Sequence, residues 1–348
     1  MPEVLTTRRL NRALLARQFL LERSRGSIED VLESIGGLQT QYAPAGYIGL
    51  WSRMEGFERA HLTEALETRR VIQGTLMRAT IHMVSAADYW PMEVGVRAAR
   101  RDWWLRAARS QYEQVDPDAV ARAIEQELRA GPLRQKELSA RLRERGYGGP
   151  QSGINMLADI VRVPPSGTWD QRRADLYGLA ADWLKPPAKL TERDGIELLI
   201  HRYLSGFGPA GLADAANWMG ANLSAVKEVA ATLELRTFRD QDGRALVDLP
   251  DAPLPDADSP VSARFLPVWD ATLLVHARRT LILPEEFRAR VFNTKTPHSV
   301  NTFLLDGQVA GSWRHEKGAL SLDPYRPLSA SERRQLDQEA DGIDRLHA

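Results

Sequence analysis

Helix-forming segments followed by a pair of strand-forming segments recur three times along this chain. In the first occurrence, leucines at helical spacing predict the first helix, and Ser27 with Asp30 is typical of a capped start to the second. Its segments are helices at 7–22, 27–35 and about 57–68 and strands at 71–77 and 79–85.

The same order returns twice more. The second occurrence has helices at 117–128, 132–146 and 151–161 and two strands separated by a Pro-Pro-Ser-Gly turn at 164–167. The third has helices at 196–204, 209–219 and 223–233 and a hairpin over 235–249 that turns at Asp242-Gly243. Three helices and a hairpin are the plan of a winged helix-turn-helix. We therefore predict an α+β, mainly helical fold of three tandem winged-helix-like units.

A Pro- and Asp-rich stretch at 248–260 separates these units from a β-rich C-terminal module. In that module, strand patterns flank an Asp306-Gly307 turn, and a helix is expected beyond Ser329. The predicted division is a first unit at 1–110, a second at 111–188, a third at 189–250 and the C-terminal module at 251–348.

Composition excludes several classes of site. The chain of 348 residues has no cysteine, which excludes disulfides, thiol nucleophiles and Cys-ligated zinc or iron–sulfur clusters. Its seven histidines show no close pairing, so neither a metal nor another cofactor is expected. It lacks an apolar run of about 18 residues, so we expect no membrane span and a cytoplasmic protein.

Charge is balanced overall but uneven along the chain. The net charge is zero, whereas nucleic-acid binding usually requires a basic surface. Arginines concentrate at 97–109 and again at 264–290. Each stretch is either a phosphate-binding surface or an ordinary solvated face, and the sequence favours neither.

Two short motifs are candidates for chemistry. GFGPAG at 206–211 matches a dinucleotide-binding pattern, but it follows a helical segment and not a strand, so we predict a corner between two helices. GLQTQ at 37–41 places Gln39 and Gln41 two residues apart after a glycine-terminated helix. In an extended chain both amides point the same way. By itself, such a pair is usually a solvated loop feature.

Several segments together resemble one bacterial family, the winged-helix DNA glycosylases of the azinomycin-resistance (AlkZ) and YcaQ type. The resemblance extends over about residues 7–315. The segments that carry it, in order, are GLQTQ, LWSR, LMRATIHMVSAADY, VRVPPSGTWDQRRADLY, RYLSGFGPAGLADAANWMG, RFLPVWDATLL and FLLDGQVAGSW.

The resemblance implies cleavage of the N-glycosidic bond of alkylated purines in duplex DNA, including unhooking of interstrand crosslinks, with Gln39 and Gln41 as the catalytic pair. The family carries Gln–x–Gln or Gln–x–Asp, and this chain has the first form. A neutral amide is a poor base, but it can hold a water beneath C1′ and favour an oxocarbenium-like charge. N7-alkylguanine is already cationic and leaves without strong acid catalysis, so we expect activity on such adducts and not on normal purines.

The same resemblance gives candidate DNA contacts. Arg78, Thr80 and His82 alternate along an expected strand and share a face, so either they meet phosphate or Gln41 or they are satisfied within a structural wing strand. The full set of candidate DNA-binding residues is Arg53, Arg78, Thr80, His82, Arg278, Arg279 and His298. We expect Trp269 and Asp270 to hold the C-terminal module together and Trp313 to lie in the core.

Lyase activity and oligomerisation are not expected. A lyase needs an amine nucleophile, and no lysine precedes Lys136. We expect a monomeric, nucleoid-associated enzyme acting on double-stranded DNA that carries alkylated purines. The main alternative is a non-enzymatic winged-helix regulator, which usually dimerises and prefers an intact sequence. A second alternative is a resistance protein that sequesters a DNA-reactive drug.

Overall fold

The computed structural model describes residues 2–111, 115–147, 153–274, 279–293 and 298–348. Along these residues the fold is a mixture of helices and several small sheets. The helices are α1 (Thr7–Arg17), α2 (Ile28–Ile35), α3 (Ala43–Arg53), α4 (Arg59–Glu67), α5 (Ala86–Ala107), α6 (Pro117–Leu128), α7 (Gln135–Glu144), α8 (Ile154–Leu157), α9 (Ala180–Trp183), α10 (Glu192–Phe207), α11 (Leu212–Met219), α12 (Leu223–Ala230), α13 (Arg288–Val291) and α14 (Ala330–His347). Within this described part, no helix combines the length and apolarity needed to cross a membrane.

The strands form four sheets in the same residues. They are β1 (Glu3–Leu5), β2 (Leu38–Gln39), β3 (Val71–Thr75), β4 (Ile81–Ser85), β5 (Leu133–Arg134), β6 (Ile160–Arg162), β7 (Leu176–Leu179), β8 (Arg236–Asp240), β9 (Ala245–Asp248), β10 (Arg264–Leu266), β11 (Phe292–Asn293), β12 (His298–Ser299), β13 (Thr302–Leu305), β14 (Gln308–Glu316) and β15 (Ala319–Pro324). Their orders are β2-β4-β3-β6-β7-β5, β1-β8-β9, β10-β13-β14-β15 and β11-β12.

The strand pairs of the first two predicted units belong to one sheet. β3 pairs with β6 in antiparallel fashion, with Gln73 opposite Arg162. The β1 strand, from the start of the chain, pairs in parallel with β8 of the third unit. Helix-then-strand order therefore recurs as expected, but the strands are shared between neighbouring segments. The winged-helix character of each unit stays a prediction.

Local sequence signals explain how α2 leads into β2. Ser27 and Asp30 form the expected capping box, and Gly36 ends the helix in the left-handed conformation at φ 75°. Gly37 follows at φ 81°, and a Cβ there would lie 2.8 Å from Val84 Cγ1. Only glycine allows this turn to pass so close to β4, and the chain then enters β2 at Leu38.

One predicted helix is wrong. The pattern over 151–161 predicts a continuous helix, of which 151 and 152 lie outside the described residues. Only Ile154–Leu157 is helical, and Ile160–Arg162 forms β6 beside β3. The apolar run is too short to separate a buried helix from a buried strand by periodicity. The pairing with β3 decides in favour of a strand.

Residues from all four predicted parts pack in a single hydrophobic cluster. It contains Leu14 and Tyr89 from the first part, Val161 from the second, Trp218 from the third and Leu304 from the fourth. A second cluster joins α2, α3 and α4 to the C-terminal sheet and α14. All four parts thus contribute to one continuous core. The division of the chain into these parts stays a prediction.

The C-terminal module is tied to the N-terminal helices by buried polar contacts. Trp313 is buried as expected, and its Nε1 donates to the carbonyls of Leu266 and Thr302 at 3.1 and 3.0 Å. Asp270 caps a short 3-10 helix and pairs with the guanidinium of Arg53 at 3.0 Å, with neither side chain exposed. This pair connects the module to the C-terminal end of α3.

Candidate active site around the glutamine pair

Gln39 and Gln41 lie together at the edge of the six-stranded sheet. Gln39 pairs with His82 across β2 and β4. Its Nε2 donates to Oε1 of Gln41 at 2.8 Å. Gln39 is 7% exposed, whereas Gln41 is open to solvent. The two amides therefore do face one space, and they link the protein interior to the surface.

Arg78 fixes the orientation of this pair. Its Nη2 donates to Oε1 of Gln39 at 2.8 Å, and its Nη1 donates to the carbonyl of Trp218 at 2.5 Å. Burial lowers the pKa of Arg78 to about 10. A guanidinium only donates, so Gln39 must present its oxygen to Arg78 and its amide N–H to Gln41.

The expected strand placement of Arg78 is wrong. Arg78 has φ 52° and Ala79 has φ 58°, so both lie in the turn between β3 and β4, and β4 begins at Ile81. Gly220 leaves room for this turn, since a Cβ there would lie 3.1 Å from the Arg78 nitrogen. The turn directs the guanidinium inward to Gln39 and not outward to phosphate.

His82 and Thr80 also have internal partners. His82 is 3% exposed, and burial, together with the nearby charge of Arg78, lowers its pKa to about 3. Its Nδ1 lies 3.0 Å from the carbonyl of Thr80, and the Thr80 hydroxyl donates to the carbonyl of Met77 at 3.0 Å. His82 is therefore neutral and buried, and its expected contact with phosphate is wrong. Thr80, half-buried, closes the turn that carries Arg78.

Arg53 is the clearest correction among the expected DNA contacts. Its side chain is completely buried. It donates to the carbonyl of Gly49 and to Oε1 of Gln18, each at 3.1 Å, in addition to its pair with Asp270. An arginine enclosed in this way cannot reach DNA, and it links α3 to the C-terminal module.

The remaining expected contacts stay predictions. His298 is exposed on β12, opposite Asn293 of β11. Arg278 lies outside the described residues, as does the side chain of Arg279.

The arginine-rich stretches are largely neutralised by acidic partners. Arg264 is buried. The pairs are Arg97 with Asp159, Arg100 with Glu93, Arg101 with Asp118, Arg288 with Glu285 and Arg290 with Asp323. Within the described residues, these six arginines are therefore buried or paired, and a phosphate-binding role of either stretch stays a prediction.

Sequence reasoning missed Tyr42, which follows the motif, and Arg172, which Tyr42 holds. Tyr42, directly after Gln41, is 42% exposed, and its hydroxyl accepts a hydrogen bond from Nη1 of Arg172 at 3.0 Å. The sequence alone could have indicated Tyr42, because it directly follows the Gln–x–Gln motif. Arg172 is 130 residues away along the chain, so only the tertiary structure brings it here.

Comparison with known proteins now identifies the family. The model of the family described as DNA glycosylase AlkZ-like matches residues 32–346. The chain belongs to the AlkZ-like DNA glycosylase family. It therefore acts on DNA, and membership favours an enzyme over the non-enzymatic regulator. The match includes both glutamines and the Arg78 turn.

A solved structure agrees with this assignment in fold. The chain is similar to the Streptomyces sahachiroi DNA glycosylase AlkZ, with a TM-score of 0.80 and 18% sequence identity, over 99% of this chain and 97% of that one. No curated protein matches it by sequence. In the described part of this AlkZ-like chain, no group of three or more His, Cys, Asp or Glu side chains is placed to bind a metal ion.

Proposed function

We propose that this AlkZ-like protein is a monofunctional DNA glycosylase that excises cationic N7-alkylguanine adducts and unhooks interstrand crosslinks built on them. It would serve repair or self-resistance to DNA-alkylating agents. The observation that carries the proposal is the hydrogen-bonded Gln39–Gln41 pair. Because both amides are uncharged, the pair can orient water but cannot remove its proton efficiently, so the leaving base must bring its own positive charge.

The two glutamines differ in their hydrogen-bond partners, and we assign them different roles. Gln39 is occupied on both sides, by Arg78 at its oxygen and by Gln41 at its nitrogen. Gln41 is exposed and has a second lone pair on Oε1. We assign to this oxygen the water that attacks C1′, and to Gln39 the positioning of Gln41. Such positioning contributes several kcal/mol, up to roughly 7–11 in ideal cases.

The reaction ends at the abasic site. A lyase would need an amine to attack C1′, and the segment that carries the pair has no lysine before Lys136. The product of this proposal is a free alkylated base and an intact strand that breaks only in alkali.

The proposed binding mode is that of a monomer on duplex DNA, associated with the nucleoid, with three winged-helix-like units curved along it. Support comes from the three successive groups of helices and strands. Recognition depends on the lesion and on phosphate contacts, so the surrounding base sequence contributes little.

The test compares duplexes with a nitrogen-mustard N7-guanine crosslink, with N7-methylguanine and without a lesion, each incubated with the protein and then treated with alkali. We expect alkali-dependent breaks at both kinds of adduct and none in the unmodified duplex. Absence of cleavage at both adducts overturns the proposal. Strand breaks before alkali contradict the monofunctional reaction.

A further inference from the structure

Arg172 is held by Tyr42, the residue that follows Gln41. Tyr42 precedes α3 and follows Gln41 directly. Its hydroxyl accepts from Nη1 of Arg172 at 3.0 Å. The Arg172 guanidinium carbon lies 5.9 Å from the centroid of the Tyr42 ring. The residue that follows Gln41 thus holds an exposed cation.

The partners of Arg172 hold it without neutralising it. Its Nε donates to the carbonyl of Trp169 at 3.2 Å, and its guanidinium carbon lies 5.7 Å from the Trp169 ring. Tyr42 and Trp169 are uncharged, and within the described ranges no carboxylate pairs with Arg172. The adjacent Arg173 differs, since its Nε is 3.1 Å from Asp175. Arg172 therefore keeps a full positive charge in a fixed direction.

Trp169 provides a rigid support for this cation. It is 6% exposed, and Tyr47 packs against it edge-on at 5.6 Å between ring centroids. The guanidinium of Arg59 also lies over the Trp169 ring, at 5.0 Å. Two arginines therefore converge on one buried indole, and Arg172 links that indole to Tyr42, the residue after Gln41.

We propose that Arg172 binds a backbone phosphate of the nucleotide whose base is presented to Gln39 and Gln41. This inference rests on the proposed function. A guanidinium matches a phosphate with two parallel N–H···O bonds. Arg172 has no ion pair to break, and its side chain is already ordered, so little of the binding energy is lost. Because phosphate contacts fix the register of DNA, Arg172 sets C1′ over the Gln41 oxygen.

The first experiment measures binding of an undamaged duplex at several salt concentrations, which does not require cleavage. Arg172→Gln should weaken binding about tenfold, the loss of one charge-assisted contact. The slope of log affinity against log salt should fall by about 0.9, the value for one phosphate. The matched control is Arg173→Gln, whose side chain is paired with Asp175 and should leave the slope unchanged. A wild-type slope in Arg172→Gln overturns the proposal.

The second experiment removes the phosphate charge instead. Duplexes with N7-methylguanine carry a single methylphosphonate at either phosphate of the lesion nucleotide, and single-turnover cleavage is followed. At one of the two positions, the methylphosphonate should slow cleavage by the wild-type protein about tenfold. At that position it should not slow the Arg172→Gln variant any further, because the contact is already lost. Independent, additive losses at both positions overturn the proposal. If the wild-type protein cleaves no adduct, the proposed function fails, and the salt slope still decides whether Arg172 binds phosphate.

Discussion

At the residue scale, the candidate site is a directed chain of hydrogen bonds from Arg78 through Gln39 to Gln41. Arg78 is the only member that cannot accept, so it determines which end of each amide points outward. The Gln41 oxygen receives the last N–H of the chain and faces solvent. The sequence indicated the two glutamines, but the buried arginine behind them gives each a different set of hydrogen-bond partners.

Removing either amide should slow cleavage. We expect Gln39→Ala and Gln41→Ala each to lower the single-turnover rate on N7-methylguanine duplexes at least tenfold, about 1.4 kcal/mol of barrier, because the attacking water loses its support. Affinity for DNA should change little. Gln335→Ala, exposed on α14, is the matched control. Wild-type rates in both variants would show that the pair does not hold the water.

Replacing Gln41 by a carboxylate tests the leaving-group argument. The Gln41 oxygen already accepts from Gln39 Nε2, and an aspartate can accept in its place. We expect Gln41→Asp to keep or raise the rate on N7-methylguanine, since the negative charge attracts the developing oxocarbenium. The wild-type protein should cleave neither hypoxanthine nor uracil. Abolished cleavage, with DNA binding and thermal stability intact, would show that Gln41 acts through its amide N–H groups.

A substitution at Arg78 tests whether this arginine acts inside the protein or contacts a phosphate. We expect Arg78→Met to lower the cleavage rate at least tenfold, because Gln39 loses the donor that orients it. The salt slope of DNA binding should stay at the wild-type value, since the guanidinium faces inward. Parallel titrations and single-turnover rates check both statements. A slope reduced by about 0.9 in Arg78→Met would show that Arg78 does contact a phosphate, as the sequence pattern predicts.

At the element scale, close contact between α5 and α10 places the third group of helices against the first. A Cβ on Gly195 would lie 2.5 Å from the backbone nitrogen of Gly95. Arg202 of α10 pairs with Asp88 of α5 and with Glu33 of α2, at 2.7 and 2.8 Å. This packing brings α11 to the Arg78 turn, where the Trp218 carbonyl accepts from Arg78.

The helix contact makes Gly195 sensitive to any side chain. We expect Gly195→Ala to lower the free energy of unfolding by about 1–3 kcal/mol, because the backbone of α5 must move away. Gly26→Ala is the control, since its Cβ would meet only the ends of the Ser24 and Asp30 side chains at 3.3 and 3.4 Å. Urea unfolding of both variants measures the difference. Equal stability would contradict a rigid contact between the helices.

Short-range signals predicted elements where one residue or motif fixes the local backbone. The capping box at Ser27, the turn at Asp306-Gly307 and the helix corner at 206–211 all occur as expected. The pattern over 151–161 failed because a strand partner, β3, overrides local helical spacing there. No motif predicted β2, whose two residues are a strand only because β4 lies beside them.

At the scale of the whole molecule, buried ion pairs and shared sheets join segments that the sequence separates. Arg17 of α1 pairs with Asp248 of β9 at 2.6 Å, and both side chains are fully buried. Arg53 and Asp270 form a similar link between α3 and the C-terminal module. Breaking one partner of such a pair is costly, since the other charge stays buried. Several arginines of this neutral chain thus connect distant segments of the fold.

Buried histidine makes global stability dependent on pH. His82 has a pKa of about 3 in the folded chain, against an ordinary value of 6.5, so the unfolded chain binds one more proton between these limits. The contribution of neutral His82 to the free energy of unfolding is complete above pH 6.5, and it is lost as the pH falls from 6.5 towards 3. We expect His82→Gln to reduce the slope of unfolding free energy by about 1.4 kcal/mol per pH unit near pH 5.

Denaturant titrations between pH 4 and 7 check this difference. His61→Gln is the control, because His61 is exposed on α4. Equal slopes for the wild-type protein and His82→Gln would mean that His82 takes up its proton without unfolding.

The sequence by itself indicated the recurrence of helices followed by strands, the glycine-ended entry to Gln39 and the resemblance to a glycosylase family, since each depends on neighbouring residues or ordered motifs. Only the tertiary structure decided which arginines are available. Arg53, Arg78 and Arg172 are the same residue type, yet Arg53 is enclosed with Asp270, Arg78 donates to Gln39, and Arg172 is held by Tyr42 without an acidic partner among the described residues. Burial and ion pairing depend on contacts between distant segments, which local patterns do not encode.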